Sequence, residues 1–217
     1  MYVMKKFFVL TVLFALPIVA YLFFVSGKNN FARLPILTED VSEISGLTTY
    51  KDEPVFLEDH ISVVAFFGEK IEDLKGNTFN LDKKILEKYY AFDDFQFVII
   101  LPENAKASAA DFIKEFEGIT NAQEWKFVFG SPDQIQKVFN SFSSPYQLSE
   151  DSYSPYVFIV DKSRNLRGRD DDDEGSLYGY DSRDIAELTN KMNDDVKVIL
   201  AEYRLALKKN NAERKNN

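Results

Sequence analysis

The sequence predicts an α/β protein in which helices cover both faces of one sheet, preceded by a single transmembrane helix. Two continuous apolar runs, ISVVAFFG at 61–68 and FQFVIILP at 95–102, are rich in β-branched and aromatic residues, which is typical of strands buried on both faces. Segments with apolar residues at helical spacing alternate with these runs. Residues 7–27 contain no charged residue.

Residues 7–27, FFVLTVLFALPIVAYLFFVSG, would form a helix of roughly 32 Å, about the thickness of the hydrocarbon core of a bilayer. A cleaved signal peptide usually has an apolar region of about 7 to 15 residues and a small-x-small cleavage site. This run is longer, so we expect an uncleaved anchor after a short cytoplasmic segment at 1–6. The basic residues before it, Lys5 and Lys6, favour an N-terminus inside the cell, which places the following domain in the periplasm or outside.

Residues 28–54 mix Pro, Gly, Thr and acidic residues without a sustained period, which predicts a tether and an irregular extended segment. The folded domain, ending in a long helix, is expected over 55–209. After the first strand, NLDKKILEKYYAF at 80–92 has its apolar residues at helical spacing, and the second strand completes a β-α-β unit.

The same order then repeats along the chain. SAADFIKEFEGI at 108–119 predicts a helix and EWKFVFG at 124–130 a short strand ended by glycine. Ser131 and Pro132 then suit the N-cap and the first position of another helix, because a helix start leaves backbone amides unpaired and tolerates a missing one.

The last elements are a hairpin and a long helix. PYVFIVDKSRNLRGR at 155–169 predicts a strand, a tight turn and a return strand. The segment from Ser182 onward predicts a long amphipathic helix that starts at Ser182, with an apolar stripe from Ile185 through Met192 to Leu207. A polar tail is expected at 210–217.

Composition excludes several classes of protein. The chain has no cysteine, one histidine (His60) and three methionines, so dithiol oxidoreductases, zinc ribbons, haem-thiolate proteins and iron–sulfur proteins are ruled out. Residues 1–33 carry four basic and no acidic residues, so the remainder, with 22 basic and 35 acidic residues, has a net charge of −13. Such a body repels phosphate backbones, and we expect no nucleic acid binding.

The order of elements and several segments resemble the Sco family, the membrane-anchored copper chaperones of cytochrome oxidase assembly, which have a thioredoxin-like fold. The resemblance covers about 55–170 and rests on VVAFFG, FQFVIILPEN, WKFVFGSPDQIQKVFNSF and SPYVFIVDKSRNLRG. The spacing of Trp125, Phe127, Gly130 and Ile135 carries it best. The resemblance implies a thioredoxin-like sheet and a cis peptide bond before Pro155.

The departure from this family falls on its copper ligands. The family's CxxxC motif follows the first buried strand, and ungapped counting places the two cysteine positions on Lys70 and Leu74. The family's histidine falls near Tyr153 or Ser154. Because Cu(I) requires thiolate or thioether donors, these residues abolish the copper site. His60 lies at the edge of the first strand and is expected to be structural.

Two acidic segments are candidates for other chemistry. RDDDDEGSLYGYD at 169–181 fits the spacing of a calcium loop, with Asp170, Asp172, Glu174 and Asp181 as ligands. A strand instead of a helix enters it and its last ligand is Asp instead of Glu, so a solvated acidic loop is the favoured interpretation. Glu69, Glu72 and Asp73 lie where the family keeps its active loop. Without a partner histidine we expect them to form a polar turn.

Five tyrosines lie in or beside loops: Tyr146, Tyr153, Tyr156, Tyr178 and Tyr180. Tyrosines displayed on loops serve as anchors in protein interfaces, and neighbouring acidic residues suggest a partner with a basic face. The alternative is that they pack over the ends of the sheet.

We therefore expect a non-enzymatic, single-pass protein of the inner (cytoplasmic) membrane. It would bind the membrane through its N-terminal helix and an envelope protein through its outer domain, in an assembly role linked to respiratory complexes such as cytochrome oxidase. No cofactor is expected, calcium excepted. A copper chaperone or thiol-disulfide oxidoreductase is one alternative, and a calcium-stabilised structural envelope protein is the other.

Overall fold

A computed structural model describes residues 2–26, 33–51, 53–116, 118–119 and 125–215. The chain divides into two compact units, Met1–Ala32 and Arg33–Asn217. The two clusters of buried apolar side chains both lie within the second unit, from Leu34 to Tyr203. The second unit, which we call the body, therefore contains its own complete hydrophobic core.

The first unit contains one helix, α1 (Tyr2–Ser26), with Pro17 inside it. The Thr11 hydroxyl donates to the carbonyl of Phe7 at 2.9 Å, one turn earlier. Large apolar side chains along the helix, from Phe7 to Leu22, are 42–67% exposed. When only residues whose side chains the structure describes are considered, no helix is both long and apolar enough to cross a membrane.

The body is built on a seven-stranded mixed sheet in the order β1-β6-β5-β2-β3-β4, with β9 also pairing with β5. Its strands are β1 (Ile36–Thr38), β2 (Ile61–Phe67), β3 (Phe95–Pro102), β4 (Trp125–Gly130), β5 (Tyr153–Val160), β6 (Leu166–Arg167) and β9 (Tyr180–Asp181). Strands β2, β3 and β4 are parallel, and β5 is antiparallel to β2. A separate hairpin joins β7 (Arg169–Asp172) to β8 (Gly175–Leu177).

The predicted central strands are confirmed, since every residue of β2 and β3 is buried. Strand β1 shows that part of 28–54 belongs to the sheet, where Ile36 pairs with Arg167. A second piece of the same segment meets the edge strand β4, because Thr48 and Phe129 exchange backbone hydrogen bonds of 2.8 and 2.9 Å.

The helical elements of the body are a 3₁₀ turn (Ile71–Leu74), α2 (Lys75–Leu81), a π turn (Asp82–Leu86), α3 (Glu87–Tyr89), a 3₁₀ turn (Glu103–Ala105), α4 (Lys106–Phe116), α5 (Pro132–Ser141), α6 (Ile185–Glu187), a π turn (Leu188–Met192) and α7 (Asn193–Lys215). The first helical stretch thus begins nine residues before the predicted start at 80 and ends at Tyr89 instead of 92. The predicted helix at 108–119 starts at Lys106 and ends at Phe116.

Alternate side chains of the strands point to opposite faces of the sheet and belong to two separate hydrophobic clusters. Val63, Ala65 and Phe67 of β2 belong to one cluster, together with side chains from α4 and the C-terminal helix. Val64 and Phe66 belong to the other, which contains side chains of α5 and of residues 41–57. The sheet is therefore covered on both faces, as the continuous apolar strands predict.

The predicted start of α5 is confirmed. The Ser131 hydroxyl accepts a hydrogen bond from the Gln134 amide, and the Gln134 side chain accepts one from the Ser131 amide at 2.9 Å, which completes a capping box. Pro132 occupies the first turn, where its missing amide hydrogen has no cost.

The C-terminal helix does not start at Ser182, and this prediction is wrong. Asp184 is the N-cap, because its carboxylate accepts from the amides of Ala186 and Glu187. The Ser182 hydroxyl instead donates to the carbonyl of Pro155 at 2.8 Å. The apolar stripe holds at Leu188, Met192, Val196 and Ile199, which are fully buried, whereas Ile185 is 48% exposed because the helix has only just begun there. Leu207 lies outside the described side chains.

The predicted hairpin at 155–169 is confirmed, with Ile159 opposite Arg167. The cis peptide bond expected before Pro155 is not found, since every described peptide bond is trans. Pro155 is the third residue of β5, where its carbonyl accepts hydrogen bonds from both the amide and the hydroxyl of Ser182. These bonds join β5 to the segment that leads into the C-terminal helix.

Candidate functional site

The candidate site lies at the carboxyl end of β2, where open α/β sheets place their ligands. Strand β2 ends at Phe67, which pairs with Tyr153 at the start of β5. Gly68 follows with a φ of +66°, and a Cβ at this position would lie 2.7 Å from the Asp151 carbonyl oxygen and 2.8 Å from the Tyr153 Cβ. Glycine therefore lets two chain segments meet here, and the Glu69 amide donates to the Asp151 carbonyl at 3.1 Å.

The positions that the Sco resemblance assigns to copper ligands come together only in part. Tyr153 packs against Gly68, two residues before Lys70. Lys70 is exposed at the start of the 3₁₀ turn, and Leu74 is half-buried at its end, against the first core cluster. These three side chains supply an amine, an alkyl group and a phenol, and none of them is a soft donor for Cu(I).

The acidic residues of this turn do not form a paired catalytic group. Glu69 accepts a hydrogen bond from the Asn104 side chain at 2.8 Å. Glu72 and Asp73 are exposed in the 3₁₀ turn Ile71–Leu74, at the start of the helical stretch, where a carboxylate interacts favourably with the helix dipole. Among the described residues there is no group of three or more His, Cys, Asp or Glu side chains placed to hold a metal ion.

Beside this turn, tyrosines from three segments converge. The rings of Tyr146 and Tyr156 are stacked with centroids 3.6 Å apart and an interplanar angle of 8°. The Tyr146 hydroxyl donates to the Gly179 carbonyl at 3.4 Å. Burial and the nearby Tyr156 and Glu187 raise the pKa of Tyr146 to about 12. Tyr146 is therefore neutral at physiological pH, and the stacking and the hydrogen bond hold its ring in one orientation.

Arg183 places a positive charge beside these tyrosines. Its guanidinium forms a bidentate pair with the Asp181 carboxylate, at 2.9 Å from Nε and 2.6 Å from Nη2, and its side chain stays 59% exposed. Burial raises the pKa of the Tyr153 hydroxyl, and the nearby carboxylates of Asp181 and Asp151 raise it further. The Arg183 guanidinium lowers it. Arg183 therefore lies close to the Tyr153 hydroxyl. We call Tyr146, Tyr153, Tyr156, Tyr178 and Arg183 the tyrosine surface; all four tyrosines are half-buried.

Tyr180 does not belong to this surface, and its prediction as an exposed anchor is wrong. It is fully buried, and its hydroxyl donates to Asp195 Oδ2 at 2.7 Å. Arg169 contacts the same carboxylate at 2.7 and 2.9 Å. The cause is the pairing of β9 with β5, which places Tyr180 opposite Val157 and over the core. Burial and Asp195 raise the pKa of Tyr180 well above its usual range.

The structure does not assemble the four carboxylates of the proposed calcium loop. Asp170 and Glu174 are exposed on the β7–β8 hairpin, whereas Asp172 pairs with Lys191 at 2.8 Å and Asp181 pairs with Arg183. The Lys191 ammonium lowers the pKa of Asp172, and the Arg183 guanidinium lowers that of Asp181. Two of the four predicted ligands thus already have cationic partners.

His60 lies apart from this site, immediately before β2, at the opposite end of that strand. Its Nδ1 is 2.8 Å from the Glu58 carbonyl oxygen, and the ring is half-buried. Sequence reasoning missed Arg183 and Asn104 as members of the site. No local pattern marks either residue, because each reaches the site through a segment distant in the sequence.

No protein-family model matches this chain, and no curated protein matches it. Solved structures do. One is BsSco, a member of the Sco family of cytochrome c oxidase assembly proteins, with a TM-score of 0.50 and 14% identity over 74% of this chain and 99% of that one. A Chlorobium tepidum protein assigned as the thiol:disulfide interchange protein DsbE has a TM-score of 0.50 and 14% identity over 77% of this chain and 99% of that one.

Arabidopsis thaliana ScoI, solved with copper bound, has a TM-score of 0.47 and 18% identity over 72% of this chain and 97% of that one. At such identities the likeness shows the fold alone. The body has the thioredoxin-like α/β fold found among Sco and thiol-disulfide interchange proteins, which confirms the resemblance at the level of the fold.

Proposed function

We propose that this chain is a membrane-anchored, non-catalytic thioredoxin-like protein of the cell envelope that binds other proteins. It would assist their assembly into a respiratory complex such as cytochrome oxidase. One observation supports it above all. The end of the sheet that would carry thiol or copper chemistry carries Lys70, Leu74 and the tyrosine surface, in a chain without cysteine.

The chemistry of these side chains supports a binding role over catalysis. A thiol-disulfide exchange requires an attacking thiolate, and Cu(I) transfer requires sulfur donors. A copper chaperone or oxidoreductase of the usual kind would need every thiol to come from its partner. The oxidase connection is taken from what BsSco is said to assemble, and it comes to this chain through the likeness of fold alone.

The geometry of the tyrosine surface suits protein recognition. Tyrosine and arginine are enriched at the energetic centres of interfaces. Because Tyr146 and Tyr156 are already stacked and half-buried, binding would cost little further side-chain entropy. Arg183 keeps an exposed guanidinium edge for a partner's carboxylate or carbonyl group. The acidic remainder of the body favours a partner with basic residues around that contact.

The anchor is supported by the composition of the N-terminal helix. The 25 residues of α1 rise about 37 Å at 1.5 Å per residue, and the 21 residues of 7–27 carry no charge. With Lys5 and Lys6 on the inner side, the body would face the periplasm or the exterior, and the protein would be a single-pass protein of the inner (cytoplasmic) membrane.

The experiment is a gentle detergent extraction of the tagged full-length protein, with copurifying proteins identified by mass spectrometry. It compares the wild type with Tyr153→Ala and with Tyr90→Ala, a matched loss of a tyrosine that is 54% exposed beside α3, on another part of the body. We expect oxidase subunits or their assembly factors with the wild type and Tyr90→Ala, and at least severalfold less with Tyr153→Ala.

Recovery of an unrelated envelope complex would contradict the oxidase link but keep the binding role. Equal recovery with the wild type and both variants would contradict the assignment to the tyrosine surface. Fractionation of membranes, followed by protease treatment of intact cells whose outer barrier is opened, tests the anchor and its orientation. The body should sediment with the inner membrane and be digested from outside.

A further inference from the structure

A cleft lies at the opposite end of the sheet from the tyrosine surface. His60 precedes β2, Gln96 is the second residue of β3, and Trp125 is the first residue of β4, and all three line this cleft. Because β2, β3 and β4 are parallel, these residues mark the amino ends of the strands. The cleft is therefore separate from the proposed protein-binding site.

The cleft has the size and lining of a small-molecule site. Its volume is about 370 Å³, within the range of roughly 300–1,000 Å³ typical of ligand pockets. Most of its wall is apolar and aromatic, contributed by Tyr50, Val55, Phe56, Ile113, Trp125 and Phe127. Trp125 is held in place by stacking on Phe97 at 5.4 Å and on Phe127 at 6.3 Å between ring centroids. This part of the wall is rigid before any ligand arrives.

Two lysines lie at the rim of the cleft. Of the described residues that line it, two are lysines, Lys51 and Lys126, and one is a carboxylate, Glu53. Both lysines are exposed, and neither forms an ion pair with a described residue. In a body of net charge −12, with 23 basic and 35 acidic residues, two exposed lysines beside an apolar cleft favour an anionic ligand.

We propose that this cleft binds a small organic acid with an apolar body. The apolar part lies against Trp125 and Phe127, and the carboxylate lies at the rim near Lys126 and Lys51. This goes beyond the protein-binding role and does not depend on it, because the two sites lie at opposite ends of the sheet.

The test uses the body, residues 33–217, which contains its own core, without detergent. The probes are octanoate and octan-1-ol, which share an apolar chain and differ in charge. Because the chain has a single tryptophan, emission from Trp125 reports binding directly, and titration calorimetry gives the affinity. Lys126→Glu reverses the charge at the rim. The matched control is Lys137→Glu, an equal charge change at an exposed residue of α5 that does not line this cleft.

We expect a saturable change in Trp125 emission with octanoate and weaker binding of octan-1-ol. Reversing a charge at contact distance near the surface should weaken octanoate binding about tenfold in Lys126→Glu, with octan-1-ol unaffected. Lys137→Glu should change either affinity less than about twofold, since its charge is distant and screened.

Three results would overturn the proposal: no saturable emission change, equal affinity for the two probes, or equal loss with Lys137→Glu. Thermal unfolding of both variants checks that each is folded. Because Lys126 is exposed and without a described ion pair, its replacement should leave the midpoint nearly unchanged. Copurification of partner proteins should be unaffected by Lys126→Glu, so failure here and failure of the protein-binding role are told apart.

Discussion

Replacing Gly68 by alanine should both destabilise the body and displace the tyrosine surface. At a φ of +66° an L-residue costs roughly 1–2 kcal/mol relative to glycine. The added methyl group would also lie 2.7 Å from the Asp151 carbonyl oxygen and 2.8 Å from the Tyr153 Cβ. Since one of these is backbone and the other is fixed at the start of β5, relief requires a backbone shift, at about 1–3 kcal/mol. We expect a total loss of about 3 kcal/mol.

The assay is equilibrium urea unfolding of the body, with two glycine controls. Gly118→Ala has a φ of +80° and open space around the new Cβ, so it should lose only the roughly 1–2 kcal/mol of backbone strain. Gly46→Ala has open space and no positive φ, so its stability should be unchanged or up to about 1 kcal/mol higher.

These controls separate backbone strain from steric contact. If Gly68→Ala costs no more than Gly118→Ala, the close approach of the Gly68 turn to residues 151–153 is not a constraint, and our account of how Tyr153 is positioned is refuted. A loss confined to partner copurification, with unchanged stability, would likewise contradict it.

Four further predictions concern the buried ions and the missing metal chemistry. Arg167→Met should cost about 3–5 kcal/mol in urea unfolding, because it removes the cation from the buried carboxylate of Asp161, at 2.9 Å, and from the partly buried carboxylate of Glu202, at 2.8 Å. A loss below about 1 kcal/mol would contradict this. Lys191 lowers the pKa of Asp172, so this ion pair contributes stability that is present above the unfolded pKa near 3.8 and is lost as the pH falls through the lower folded value. Lys191→Gln should therefore flatten the fall of the urea midpoint below about pH 4. An unchanged pH profile would argue against the pair. Titration of the body with Cu(I) should show no tight stoichiometric binding, since the chain has no cysteine. A sharp one-to-one endpoint would support the copper chaperone hypothesis instead. Millimolar calcium should leave the melting temperature unchanged, since Asp172 is already paired with Lys191, and a rise of several degrees would revive the calcium loop.

The local elements were predictable where their cause is local. The strands β2 and β3 follow from continuous apolar runs, which become stable only when buried on both faces. The start of α5 follows from Ser131 and Gln134, three residues apart, whose side chains satisfy each other's backbone amides. In both cases the groups that decide the structure are neighbours in the sequence.

Other features depend on groups that are distant in the sequence. Tyr180 looks like its neighbour Tyr178 in the sequence, yet it is fully buried because its short strand pairs with β5 and its hydroxyl finds Asp195. Ser182 looks like a helix cap in the sequence, but its hydroxyl donates a hydrogen bond to the carbonyl of Pro155. Asp184 caps the helix instead.

The candidate site shows the same division. Composition by itself determined that the chain has no thiol, that its body is acidic and that 7–27 carries no charge. Only the tertiary structure decided that Arg183 joins Tyr153 and Tyr156, and that Trp125 lines a cleft with Lys126. The physical reason is that composition and periodicity are properties of consecutive residues, whereas a site is made by side chains that strand pairing and core packing bring together from separate parts of the chain.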